Sequence, residues 1–77
     1  SSYLLAGSDR RIKENIKELP KENNHKMYEF SYKGNPKKYI GVMAQDILKT
    51  NPEAVVDING VLHVDYGRLG VKMREVS

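Results

Sequence analysis

Cysteine is absent from the 77 residues, which excludes a disulfide framework and thiolate metal sites and leaves the redox compartment open. Tryptophan is absent too, phenylalanine occurs once, and 39% of the chain is hydrophobic. A chain this short buries only about 60% of the surface it exposes when unfolded, so the core should be thin and completed by a neighbouring chain. No apolar run approaches the roughly 18 to 20 residues of a membrane span, and the opening SSYLLAG is too short for a secretory signal and lacks its basic start. No membrane association is expected. No long block of one charge sign occurs either. Thirteen Lys and Arg are interspersed with ten Asp and Glu for a net charge of +3, too weak a bias to imply nucleic acid. No metal or cofactor is expected: His25 falls in a polar loop, His63 in an expected strand, and their spacing is not that of ligands. The stretch KGNPKK has glycine and lysine but not the strand, loop and helix of a phosphate loop. The chain opens on Ser and not Met, so it is expected to be a piece of something longer.

What is present is a series of short elements. Ile12, Ile16 and Leu19 suit one face of a helix, and the first two also suit a strand, so the type of this element stays open. Pro20 is expected to end it, with KENNHK as a polar connection. MYEFSYK alternates Tyr28, Phe30 and Tyr32 with Met27, Glu29, Ser31 and Lys33, which predicts a half-buried strand. Gly34, Asn35 and Pro36 then turn the chain into a hairpin partner, KYIGV. Tyr28, Tyr32 and Tyr39 lie near lysines as in base-stacking sheets, but aromatics at this period read more simply as core. MAQDILKTNPE predicts a helix of about two turns stopped at Asn51-Pro52. AVVDINGVLHV carries Asn59-Gly60 between two β-prone runs, the sequence of a type I′ hairpin. After it, Asp65 can cap a helix in which Tyr66, Leu69, Met73 and Val76 alternate by three and four, the seam of a coiled coil. Gly67 and Gly70 weaken that helix, so partner helices would have to support it. The expected fold class is α+β: a small domain of short antiparallel hairpins with one short helix and a C-terminal helix, completed by trimerisation.

The stretch SDRRIKENI sets a serine five positions before a lysine. Taken from spacing alone, the simpler account is that Ser8 or Asp9 caps a helix while Arg11 and Lys13 are solvated. The order of blocks changes this. SDRRIKENI, YEFSYK, YIGVMAQDI, PEAVV, an Asn-Gly hairpin and VDYGRL together resemble the self-cleaving intramolecular chaperone domain at the C-terminus of phage endosialidase tailspikes and tail fibres, to which a domain of the myelin regulatory factor is related. The resemblance runs from Ser8 to about Leu69. It implies that Ser8 is a nucleophile and Lys13 its base, with Asp9, Arg11 and Ile16 at the remaining motif positions, and that the bond between Gly7 and Ser8 is cut. It also implies a homotrimer whose partner is the upstream fibre or spike of the same polypeptide, with residues 1–7 as the tail of that fibre and 8–77 as the chaperone domain. The setting implied is a virion fibre or spike precursor assembled in the host cytoplasm. A cut product would start at Ser8, so a chain retaining residues 1–7 is either uncut or a copy that only trimerises and caps. A basic nucleic-acid-binding domain is the third and most distant reading.

The implied chemistry makes two demands. A serine hydroxyl needs a base, and lysine serves only when neutral. Its pKa must fall from about 10.4 to roughly 7 or 8, a change of about 4 kcal/mol. Burial would supply part, and the positive charges of Arg10 and Arg11 more. The second demand is geometric. An extended Ser8–Lys13 segment would separate the Cα atoms by roughly 16 Å, and a straight helix would place the side chains about 140° apart. Either the chain bends near Gly7-Ser8-Asp9, or Lys13 comes from a neighbouring protomer. Both would make cutting conditional on assembly.

Overall fold

Asparagines make the turns that fix the register of this chain. The computed structural model describes residues 4–76. Its strands are β1 (Leu5–Gly7), β2 (Lys13–Glu22), β3 (His25–Tyr32), β4 (Tyr39–Gly41), β5 (Val55–Ile58), β6 (Val61–Asp65) and β7 (Arg74–Glu75), with one helix, α1 (Ala44–Thr50). They build two antiparallel sheets, ordered β2-β3-β4-β7 and β1-β6-β5. Asn59 and Gly60 both have positive φ (52° and 83°) between the paired Ile58 and Val61. This is the type I′ geometry expected of that dipeptide. Asn23 and Asn24 (φ 47° and 65°) make the same turn between the paired Glu22 and His25, because asparagine tolerates the left-handed region.

The ambiguous first element is therefore a strand, and it runs past Pro20. Proline cannot donate a ladder hydrogen bond, but β2 is the edge of its sheet and Pro20 lies in the register shift between Leu19 and Glu22, where no bond is lost. The polar connection expected over KENNHK is reduced to the two asparagines. β3 sits between β2 and β4 and buries residues of both faces, Met27 and Ser31 as well as Tyr28 and Phe30. α1 places Ala44 and Ile47 in the core and ends at Asn51, since the proline that follows disfavours helical backbone there.

The expected C-terminal helix does not form, and the α+β class gives way to a mostly antiparallel β domain with one two-turn helix. Asp65 does cap, accepting from the Gly67 amide, but it caps a single 3-10 turn, Tyr66–Arg68. Gly70 then takes φ +68° and reverses the chain, a conformation glycine adopts without steric cost. Tyr66, Leu69 and Met73 are almost wholly buried against the chain's own core, and Val76 is exposed beyond β7. Intervals of three and four thus mark core positions in an irregular segment, not the seam of a coiled coil. The core joins these residues to Met27, Phe30, Val42, Met43, Ile47 and Val64. Burial of each large side chain is worth about 1.5–3 kcal/mol, so the two sheets and the C-terminal segment stand or fall together.

Candidate active site

Ser8 and Asp9 follow β1, Asp9 in extended conformation, and a 3-10 turn at Arg10–Ile12 comes next before β2 begins at Lys13. Neither regular element could bring the serine and the lysine together; this bend does. Lys13 Nζ lies 3.0 Å from Ser8 Oγ within one chain. The bend, of the two alternatives, is the one this chain adopts, and the lysine comes from the same chain as the serine. Ser8 is fully buried and Lys13 is 3% exposed. Both side chains donate to the carbonyl of Val42, each at 2.7 Å. That carbonyl holds the ammonium or amine in place and orients the hydroxyl beside it.

The turn is set by Asp9. Its carboxylate accepts from the Arg11 amide, from Arg11 Nε and Nη2, from Gln45 Nε2 on α1 and from the Leu62 amide on β6. Arg11 hydrogen bonding holds the Asp9 carboxyl well below the usual carboxylate range, the Arg11 and Leu62 amides and Gln45 add to this, and burial opposes it. Arg11 also donates to the Gly60 carbonyl, so one guanidinium links the turn to the Asn-Gly hairpin. Gln45 completes the clasp by accepting from the Arg10 amide at 3.0 Å. Gln45→Ala removes both bonds and leaves Asp9 its other partners. A loss of about 1–2 kcal/mol is expected, read as a lower urea midpoint at unchanged slope.

Burial pushes the Lys13 ammonium down to about 7, with the positive charge of Arg10 adding to it and Asp9 and Asp46 opposing. Of the two arginines expected to help, only Arg10 does; Arg11 spends its charge on Asp9. The ring of Phe30, 3.9 Å from Nζ, favours the charged form as a cation–π partner, but desolvation is the larger effect.

The Gly7–Ser8 peptide is clamped on every side. The Ser8 amide donates to the Leu62 carbonyl at 2.9 Å, and the Ser8 carbonyl accepts from the Ala44 amide at 2.8 Å. The Gly7 carbonyl accepts from the Tyr32 hydroxyl at 2.6 Å. A Cβ on Gly7 would stand 3.1 Å from Ile12 Cδ1, so glycine allows the 3-10 turn to close over the bond. Behind the dyad, the Tyr66 hydroxyl accepts from the Val42 amide at 3.1 Å and interacts with the Ser8 side chain.

Of the residues singled out from sequence, Gly7, Ser8, Asp9, Arg11 and Lys13 meet in one place. Ile16 does not; it packs half-buried against the core. Tyr66 reaches the site from its 3-10 turn, while Leu69 and Met73 serve the core. Tyr32, Gln45 and the Val42 backbone went unnoticed as site residues, and only their membership of the blocks YEFSYK and YIGVMAQDI marked them.

A peptidase-family model described as chaperone of endosialidase matches residues 8–56, more than half of the chain and both members of the dyad. No curated protein and no solved structure matches.

Proposed function

The chain belongs to the family of endosialidase chaperones, and on that premise we propose that it is the intramolecular chaperone of a phage tail fibre or spike and cuts itself between Gly7 and Ser8. The observation that carries this reading is the buried contact of 3.0 Å between Ser8 Oγ and Lys13 Nζ. With Lys13 neutral, the Ser8 hydroxyl turns its proton from the Val42 carbonyl to the Lys13 lone pair, which takes it while the Lys13 N–H groups keep the Val42 carbonyl. Oγ attacks the Gly7 carbonyl carbon, the C–N bond breaks, and the Ser8 nitrogen recovers the proton from Lys13. The product is an ester between Gly7 and Ser8 Oγ. Water then cleaves it to a Gly7 carboxylate and a free Ser8 hydroxyl. Each chain reacts once.

As a chaperone, the domain works by holding copies of the upstream polypeptide together, which lowers the entropy cost of aligning them. A homotrimer is the assembly proposed. Val56 and Ile58 stand exposed on the edge strand β5, and Leu48 on α1, which supports association. A second reading, a cap that never cuts, is favoured by one observation: Ser8 is wholly enclosed, so water must gain entry before an ester can be resolved.

Intact mass measured over time decides between them. The cutting chain gives residues 1–7 and a species beginning at Ser8, and Ser8→Ala gives neither; a full-length chain stable at all pH values leaves the cap. Because Lys13 must be neutral, the rate should rise with pH and level off above about 7. At pH 5 it should be roughly a hundredfold below the plateau.

A further inference from the structure

We propose that Tyr32 is a third catalytic residue, supplying the hydrogen bond that stabilises the oxyanion at Gly7; this rests on the self-cleaving reading above. Serine and lysine alone leave the developing negative charge on the Gly7 oxygen without a partner. Such charge forms in every attack on a peptide carbonyl, and a preorganised donor is the usual answer to it. Backbone amides near the turn are the obvious candidates, and three of them are committed elsewhere. The Ser8 amide goes to Leu62, the Arg11 amide to Asp9 and the Arg10 amide to Gln45. The donor that does face the Gly7 oxygen is the Tyr32 phenol, at 2.6 Å.

Its placement follows from strand register. Lys13 and Tyr32 are directly opposite each other on β2 and β3, so the base and the phenol are cross-strand neighbours. The Lys13 side chain reaches the attacking oxygen while Tyr32 reaches the carbonyl oxygen of the same reaction. The ring is fixed: Phe30 meets it edge-on with centroids 5.3 Å apart, and Tyr39 lies at 5.4 Å. Met73 Sδ, at 3.7 Å, is a further acceptor near the hydroxyl, and sulfur competes poorly with a carbonyl for one phenolic proton. The proton therefore points at Gly7 before the reaction starts, and the bond strengthens as charge develops there.

The step adds no new atoms. The phenol keeps its proton throughout; the proton that moves is that of Ser8, through Lys13 to the departing nitrogen.

Tyr32→Phe removes the donor and keeps the ring. The expected result is cleavage slower by about 10²- to 10³-fold at every pH, with the rise near 7 unchanged because Lys13 remains the base. A second measurement does not depend on cutting. In the Ser8→Ala chain labelled with ¹³C at the Gly7 carbonyl, adding Tyr32→Phe should shift that resonance upfield as polarisation is lost. This is read on folded protein, confirmed by an unchanged amide spectrum elsewhere. If Ser8→Ala abolishes cutting but Tyr32→Phe cuts at the wild-type rate, the inference is overturned and the dyad stands. An unmoved carbonyl resonance overturns it too. A wild-type chain that never cuts removes the dyad reading and this inference together.

Discussion

Replacing Lys13 with methionine is expected to abolish cutting and, below pH 7, to make the domain more stable. The ammonium is 3% exposed and its pKa is pushed from 10.5 to about 7. Between those values the unfolded chain carries a proton on Lys13 that the folded chain has shed. Stability therefore climbs as pH rises through 7 to 10.5, and the burden of the buried charge is greatest below pH 7. At about 1.4 kcal/mol per pH unit, the whole window is worth on the order of 5 kcal/mol. Methionine fills a similar volume without charge. Ser8 Oγ keeps its bond to the Val42 carbonyl, so no buried polar atom loses its last partner. Against the gain stand the lost Lys13 contacts with Val42 and Phe30, which leaves a net of about 2 kcal/mol at pH 6. Urea unfolding at pH 6, 8 and 10 reads this directly. The variant should be the more stable at pH 6, and the two chains should converge or cross by pH 10. A difference that does not vary with pH would mean that Lys13 is not held neutral by its surroundings.

That result would express the cost of keeping a base in a dry site. The proposed cleavage would ask for this electrostatically costly arrangement, and the fold tolerates it because Val42 and Phe30 contact the amine and the Asp9 clasp holds the turn beside it. Such conflicts between local stability and chemistry are expected at functional sites.

The parts of this molecule legible in the sequence are those decided by neighbours in the chain. Asn59-Gly60 could make only one kind of tight hairpin, MYEFSYK could hardly be anything but a strand, and Asn51-Pro52 had to stop a helix. The dyad was legible as a pair of residues but not as a geometry. Its bend is held by Gln45, Leu62 and Val42, which lie 29 to 53 positions away from their partners, and no periodicity records contacts of that range. Pro20 misled because its tolerance depends on β2 being an edge strand, a fact of the whole sheet. Tyr66, Leu69 and Met73 misled for a related reason. The spacing that suits a helical seam also suits a chain that winds once, reverses at Gly70 and returns to the core. Only the glycines argue for the second outcome, and in sequence a glycine that weakens a helix looks the same as one that ends it.

Gly41→Ala should be the most damaging substitution that touches no chemical group of the dyad. A Cβ at this position would collide with the Tyr66 hydroxyl oxygen, with Phe30 Cε2 and Tyr66 Cζ at 3.4 Å behind it. Tyr66 is 1% exposed and its ring cannot swing away without opening the core. The hydroxyl also holds the Val42 amide, whose residue presents the carbonyl that anchors both Ser8 and Lys13. Displacing the ring thus loosens the dyad from behind. Overpacking of this kind costs about 1–3 kcal/mol, and an orphaned buried amide adds about 1–3 kcal/mol. Together they consume much of the roughly 5 kcal/mol that a domain of this size can hold in reserve. Tyr66→Phe alone loses the hydrogen bond to Val42 and should cost about 1–2 kcal/mol. In the double variant the oxygen that collides with the new methyl is gone, so Gly41→Ala with Tyr66→Phe should be more stable than Gly41→Ala alone. Urea midpoints of the four chains measure the coupling. If the two losses simply add, the collision with the hydroxyl is not what reserves position 41 for glycine, and the backbone at β4 would have to be responsible.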